Sequence, residues 1–204
     1  MTIAHVIAQA RSGELSNLSE TGFNDDKIML YINLGLIELY KRFNLSTGEA
    51  LLTMATGKTI YKLDGTDASV NLEGPYMYLI SAYDELGNNL DLNNEDNPLS
   101  ILTPGFDEVQ VPYPAPGEVL SLMYGQEPPV ITQTTDILPI PITLLEALLH
   151  YVGYRGHGAV NGNVQAENNT HYQRFEASIN RAQTLGVINQ DDSIIRYVND
   201  KGFV

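Results

Sequence analysis

The chain has 204 residues, 43% of them hydrophobic, enough apolar material for a true core, which excludes wholesale disorder. Its 25 acidic residues against 11 basic ones give a formal charge of -14. That is the wrong sign for a dedicated DNA or RNA binder, which must neutralise phosphates with Lys and Arg. The same charge favours solubility, and would keep DNA from sticking to a surface that surrounded it. With no cysteine, disulfides, thiolate zinc sites and cysteine nucleophiles are ruled out.

Met1 to Arg11 lacks a basic region followed by a long apolar run, so it does not read as a secretory signal. No run approaches the roughly eighteen unbroken apolar residues of a membrane span, so no membrane partner is expected. Ile3, Val6, Ile7 and Ala10 have helical spacing, with Gly13 as the stop and Ser16 to Gly22 as a polar connection. Asn24 is placed to cap a second helix whose first turn carries Asp25 and Asp26, where the helix dipole favours negative charge. Ile28, Ile32, Leu36, Leu39 and Phe43 line one face of it, and Leu30, Leu34 and Ile37 widen that face.

From Gly48 to about Val130 the helical period disappears, and short β-rich runs alternate with turn residues. Leu51 to Ala55 and Thr59 to Leu63 flank Thr56-Gly57-Lys58 as a hairpin, and Tyr76 to Tyr83 and Asn89 to Leu92 flank Asp84 to Asn88 as another. Asp91 to Pro98 is an acidic, Asn-rich loop. Glu108 to Val111 and Val119 to Tyr124 flank a Pro-rich spacer, Pro112 to Gly117, that can only be a loop or an edge. The region reads as a small antiparallel sheet or sandwich.

Leu138-Pro139-Ile140-Pro141 is extended, because the residue before a proline is pushed out of the helical region. Thr143 and Glu146 form a Thr-x-x-Glu capping box for a third helix. One of its stripes is Leu145, Leu148, Leu149 and Val152, and another is Leu144, Ala147, Tyr151 and Tyr154. Two apolar stripes demand cover from two sides: the Asp25 to Phe43 helix and a final helix from about Asn163 to Leu185. Gly156, Gly158 and Gly162 are expected to stop the third helix. The final helix presents Val164, Tyr172, Phe175, Ile179 and Ala182 on one face and ends at Gly186. Beyond it, Val187 to Val204 is too apolar for a solvated linker and too short to fold alone.

The expected class is α+β: a helical bundle built from N- and C-terminal helices, an inserted antiparallel β domain and an extended C-terminal arm. The boundaries fall at 1–47, 48–137, 138–186 and 187–204.

Candidate chemistry is sparse. The histidines are His5, His150, His157 and His171. His150 and His157 share a helix face with Glu146, where a metal site is conceivable, but nothing supplies a matching further ligand and HExxH is missing, so no metal is assigned. There is no Gly-x-Ser-x-Gly elbow. Gly153 to Gly158 follows a helix instead of a strand, so it fits neither a dinucleotide fingerprint nor a P-loop and reads as close packing. The run Asp91 to Asp96 lacks the ending of a calcium loop. No catalytic residue and no cofactor are expected, and the stripe of Glu146, His150, Gly153 and His157 is read as a polar or small packing face. A small enzyme or ligand-binding domain, with its pocket at Glu146, His150 and His157, is the alternative of another class.

The order of segments resembles the head-to-tail adaptor (connector) proteins of tailed bacteriophages. The likeness is carried by Asp25-Asp26-Lys27-Ile28 through Ile32 to Phe43, by Thr56 to Leu63, by Leu99 to Pro104, and by Leu138 to Pro141 leading into Glu146 to Arg155. It covers most of the chain and is one of texture, without an invariant motif. The resemblance implies a bundle with a β insertion, copied into a ring, usually of twelve subunits, beneath the portal protein. DNA passes through the lumen of such a ring, which also contacts a tail or nozzle protein. It implies a virion component of the neck, assembled in the host cytoplasm, with no catalytic residues. The docking arm would be Val187 to Val204, through Ile194, Ile195, Tyr197, Val198, Phe203 and Val204. In such a ring the stripe of Glu146, His150, Gly153 and His157 would be a subunit contact or channel-side face. A head-completion stopper or tail-terminator ring is the neighbouring alternative.

Overall fold

The computed structural model describes residues 1–19, 23–159 and 165–186. The chain divides into two compact units, one formed by both ends of the described chain and one by the middle, Ser46–Glu127. The α+β class expected from the sequence is observed, with helices in the first unit and antiparallel strands in the second. The assigned docking arm, 187–204, lies outside the described residues.

The helical unit holds α1 (Ile3–Ser12), α2 (Asp25–Arg42), a short 3-10 turn (Ile142–Leu144), α3 (Leu145–Gly158) and α4 (Gln165–Thr184). Asn24 caps α2 as expected, its side chain accepting from the Lys27 N–H at 3.0 Å. Ile28, Ile32, Leu36, Leu39 and Phe43 are all fully buried. Leu30, assigned to the same face, is instead exposed. Burying five such side chains contributes about 1.5–3 kcal/mol each to holding α2 in place.

Both stripes of α3 are covered, by α2 and by α4. The approach of α2 is unusually close at Gly35, where an added Cβ would stand 2.6 Å from Leu148 Cδ1 and 3.1 Å from Tyr151 Cδ1. On the α4 side, Phe175 packs edge-on against Tyr151 with ring centroids 5.3 Å apart, and Ile179 and Ala182 continue the buried line. Arg42, at the end of α2, grips Glu176 of α4 with two hydrogen bonds of 2.6 and 2.8 Å. That pairing holds the Glu176 carboxyl below its ordinary range and the guanidinium above its own. Gly186 adopts φ +62 and closes α4, as a C′ glycine does.

Two expectations about α3 are corrected. The Thr143–Glu146 capping box does not form: a 3-10 turn leads straight in, Leu144 occupies the cap position, and no side chain caps the helix there. Nor does Gly156 stop it: Gly153 and Gly156 lie inside α3, which ends at Gly158, one of the expected stops, while Gly162 lies outside the described residues. The missing side chains of Gly153 and Gly156 make room for neighbours, since a Cβ on Gly156 would meet Leu15 Cδ2 at 2.5 Å.

The boundary before α3 also moves. Residues 128–137, read as β domain, belong to the helical unit. Asn33 of α2 brackets Ile131, donating to its carbonyl at 2.9 Å and accepting its N–H at 2.8 Å. The Ile3 and Ala4 N–H groups donate to Asp136 and Thr134, and Leu138 N–H donates to the Met1 carbonyl. The segment is thus tied to α1 and α2, with Ile131 and Leu138 in the helical core.

The middle unit carries β1 (Thr47–Thr53), β2 (Ile60–Lys62), β3 (Val70–Leu72), β4 (Tyr76–Tyr83), β5 (Asn89–Leu90), β6 (Glu108–Gln110) and β7 (Val119–Gln126). Five strands form an antiparallel sheet in the order β3-β1-β7-β4-β5, and β2 pairs with β6 in a second, two-stranded sheet. Alternation along β1 buries Gly48, Ala50 and Leu52, and Ala50 and Leu52 share one core with Tyr61 and Val109 of the small sheet and with Leu63 just after β2.

The hairpin expected around Thr56-Gly57-Lys58 is not formed. Both edges of β1 are taken, by β3 and β7, so the chain turns through Gly57 at φ +73 into the other sheet. Lys58 fastens that corner through Asp67, 2.6 Å from each carboxylate oxygen. The β4–β5 hairpin does form, with Ala82 opposite Leu90 and Tyr83 opposite Asn89.

Tyr124, fully buried on β7, locks the sheet to the turn after β3. Its hydroxyl donates to the Gly74 carbonyl and accepts the Gly74 N–H, both at 2.9 Å. Gly48 stands opposite it in register, and any Cβ there would lie 2.8 Å from the ring. Tyr124→Phe keeps the packing and strands both Gly74 groups, so urea unfolding followed by circular dichroism should show a loss of about 1–2 kcal/mol. An unchanged midpoint would show that water replaces the hydroxyl at no cost.

Candidate functional site

Within the helical unit, His150, His157 and His171 converge around Glu14. Glu14 sits in the turn after α1, fixed by Gly13 N–H donating to Gln9 and Leu15 N–H donating to Ala10. Leu15 is buried, so its neighbour's carboxylate points toward α3 and α4. His150 comes from α3 and His171 from α4. The two oxygens of the one carboxylate serve different rings, with His150 Nδ1 3.2 Å from Oε1 and His171 Nδ1 2.7 Å from Oε2. All three side chains are largely buried, at 12–19% exposure.

His157 completes the group from one side. Its Nε2 lies 2.9 Å from the Glu14 backbone carbonyl, and its ring stacks on His171 at 4.7 Å with 15° between planes. On the far side of His150, Glu146 Oε1 stands 3.8 Å from Nε2. Gly153 makes the convergence possible, because a Cβ there would lie 2.9 Å from His171 Nδ1 and 3.1 Å from Glu14 Cβ. A surface depression lined by Glu14, Ser16, Asn17, His157, His171 and Arg174 opens beside the cluster.

The stripe of Glu146, His150, Gly153 and His157, read as a subunit contact or channel-side face, divides in the structure. His150, Gly153 and His157 pack against Glu14 and His171, and Glu146 is exposed, at 63% of its side chain. The sequence reading paired His150 and His157 with Glu146 because helical spacing links them. It missed Glu14 and His171, which lie on other elements and carry no spacing signal. The residues assigned to the docking arm, Ile194, Ile195, Tyr197, Val198, Phe203 and Val204, are outside the described residues.

Burial holds the His171 imidazole below its ordinary pKa of 6.5, against the pull of the Glu14 carboxylate and with help from His157 and Arg174. Among the described residues, no helix is long and apolar enough to cross a membrane.

The pH consequence follows from that depression. The unfolded chain takes up a proton on His171 from about pH 6.5 downward, while the folded chain resists until lower pH. His171 therefore contributes stability that is present above about pH 6.5 and lost as pH falls through its folded value. Several carboxyls, such as Asp67, Asp136 and Glu176, are held below their ordinary values of 3.8 to 4.5 and act in a lower window. Thermal melts from pH 7.5 to 5 should show a falling melting temperature that His171→Gln flattens. An equally steep fall in the variant would place the titrating group elsewhere.

The sequence model of the family described as SU10 adaptor protein matches residues 1–197, nearly the whole chain. No curated protein matches it. The chain belongs to that family, in agreement with its resemblance to the head-to-tail adaptors of tailed phages.

Proposed function

From membership of the SU10 adaptor family, we propose that this protein is a structural component of the phage neck. Copies of the chain form a closed ring of twelve beneath the portal, join it to a tail or nozzle protein, and let DNA pass through the lumen. It acts without catalytic residues, in the virion, after assembly in the host cytoplasm. The observation that carries the reading is the family match over residues 1–197.

Physical chemistry supports it. A charge of -14 repels DNA, which suits a wall past which the polymer must slide and does not suit a binder. A ring needs a head-to-tail interface, in which one patch of the subunit meets a different patch of the next. Exposed apolar side chains are available for that contact. Leu86 and Phe106 are each 87% exposed in the middle unit, and Leu30 is exposed on α2. Glu146 remains a candidate for the subunit or channel-side surface, whereas His150, Gly153 and His157 are committed inside the subunit. Residues 187–204 are proposed as the portal-docking arm, with Ile194, Ile195, Tyr197, Val198, Phe203 and Val204 as its apolar contacts.

Mixed with its cognate portal, the protein should appear by electron microscopy as a closed ring against one end of the portal. A chain that stays monomeric beside intact portal overturns the reading, and a ring that binds another ring but not the portal would make it a stopper or tail terminator. Truncation after Gly186 should leave the circular dichroism spectrum essentially unchanged while abolishing portal binding. Normal docking by the truncated chain would refute the arm.

A further inference from the structure

The cluster around Glu14 has a property that a mere polar contact lacks. His150 Nδ1 and His171 Nδ1 are both buried, both lie against a Glu14 oxygen, and neither is in line for a hydrogen bond to it. Two ring nitrogens and a carboxylate thus face one another without a well-directed hydrogen bond, an arrangement that a cation among them would satisfy. We propose that Glu14, His150 and His171 are the three protein ligands of a divalent transition-metal ion of the zinc class.

The donor set fits. Two imidazoles and one carboxylate suit a borderline ion such as Zn²⁺ better than the all-oxygen cages of calcium or magnesium. Ligand atoms about 2.0–2.1 Å from one tetrahedral ion stand roughly 3.3 Å apart. Here one donor atom from each residue falls within 4.8 Å of the others, and the His171 and His150 nitrogens lie 2.7 and 3.2 Å from different oxygens of the Glu14 carboxylate.

The surroundings supply what metal ligands usually have. Glu146 faces the other nitrogen of His150 at 3.8 Å, where it can orient the ring as an outer carboxylate. His157 holds the Glu14 backbone through its carbonyl, and its stacked ring fixes the plane of His171. The fourth position faces the depression at Ser16, Asn17 and Arg174, where water completes the tetrahedron.

The ligands come from the turn after α1, from α3 and from α4. The ion would therefore clamp three elements of the bundle where Gly153 lets them meet, a structural role that holds whether or not the ring reading does. Cross-linking elements that the unfolded chain leaves far apart makes binding energy into folding energy.

The test uses the untagged, full-length protein, stripped with a chelator and titrated with Co²⁺ and then Zn²⁺ alone. One Co²⁺ per subunit should bind with the intense visible bands of a tetrahedral site, be displaced by Zn²⁺, and raise the melting temperature. His171→Gln and Glu14→Gln should each weaken binding at least tenfold, while His5→Gln, at an exposed position, leaves it unchanged. X-ray absorption at the zinc edge of the wild-type protein should show imidazole scattering with nitrogen and oxygen at about 2.0–2.1 Å. That measurement needs no variant, so it decides the matter even if the substitutions unfold the chain. No binding, the weak spectrum of an octahedral aquo ion, or an edge spectrum without imidazole overturns the proposal.

Discussion

Close approach to α3 is the constraint on which the helical unit depends. At Gly35, Gly153 and Gly156 a single methyl group would collide with Leu148, with His171 and Glu14, or with Leu15. An ordinary helix pair keeps its axes about 8–10 Å apart, and small residues at the crossing are what allow less. Because α3 is approached from α2, from α4 and from the turn after α1, its glycines cost helix propensity of about 1 kcal/mol each in return for contact on all sides. The same geometry brings Glu14 within reach of two imidazoles. Packing and polar chemistry in this unit thus have one origin.

What the sequence made legible was the periodic part of the fold. Apolar spacing located α1, α2 and α4, Asn24 marked a start and Gly186 an end, and the loss of period after Gly48 marked the β unit. Local signals failed where a partner distant in sequence decides the outcome. Thr56-Gly57-Lys58 has hairpin composition, yet β1 already has neighbours on both edges and Lys58 is drawn to Asp67, so the turn becomes a corner between sheets. Residues 128–137 look like more β region until Asn33 is seen to hold Ile131. A single polar residue inside an amphipathic helix gives no period to read. The glycines of α3 look like breakers because composition cannot distinguish a gap that ends a helix from one that a neighbour fills.

The candidate site was half visible for the same reason. His150 and His157 share a helix face and attract attention together, but the ring that shares Glu14 with His150 belongs to His171, on another helix. His157 turns out to hold a backbone carbonyl instead. Glu14, the residue on which the group converges, sits in a turn whose sequence resembles any polar connection.

Function rests on a different footing, since the family match and the proposed ring concern what the subunit does in company. In the proposed ring, exposed apolar side chains such as Leu86 and Phe106 would be available to neighbours, and the acidic charge would make the wall unattractive to DNA. The most direct test of that account is the mass of the complex formed with the cognate portal, measured by native mass spectrometry. The account predicts one discrete species in which a full ring of twelve copies is added to the portal. A mass equal to the portal alone, or a spread of partial additions with no closed ring, would contradict it.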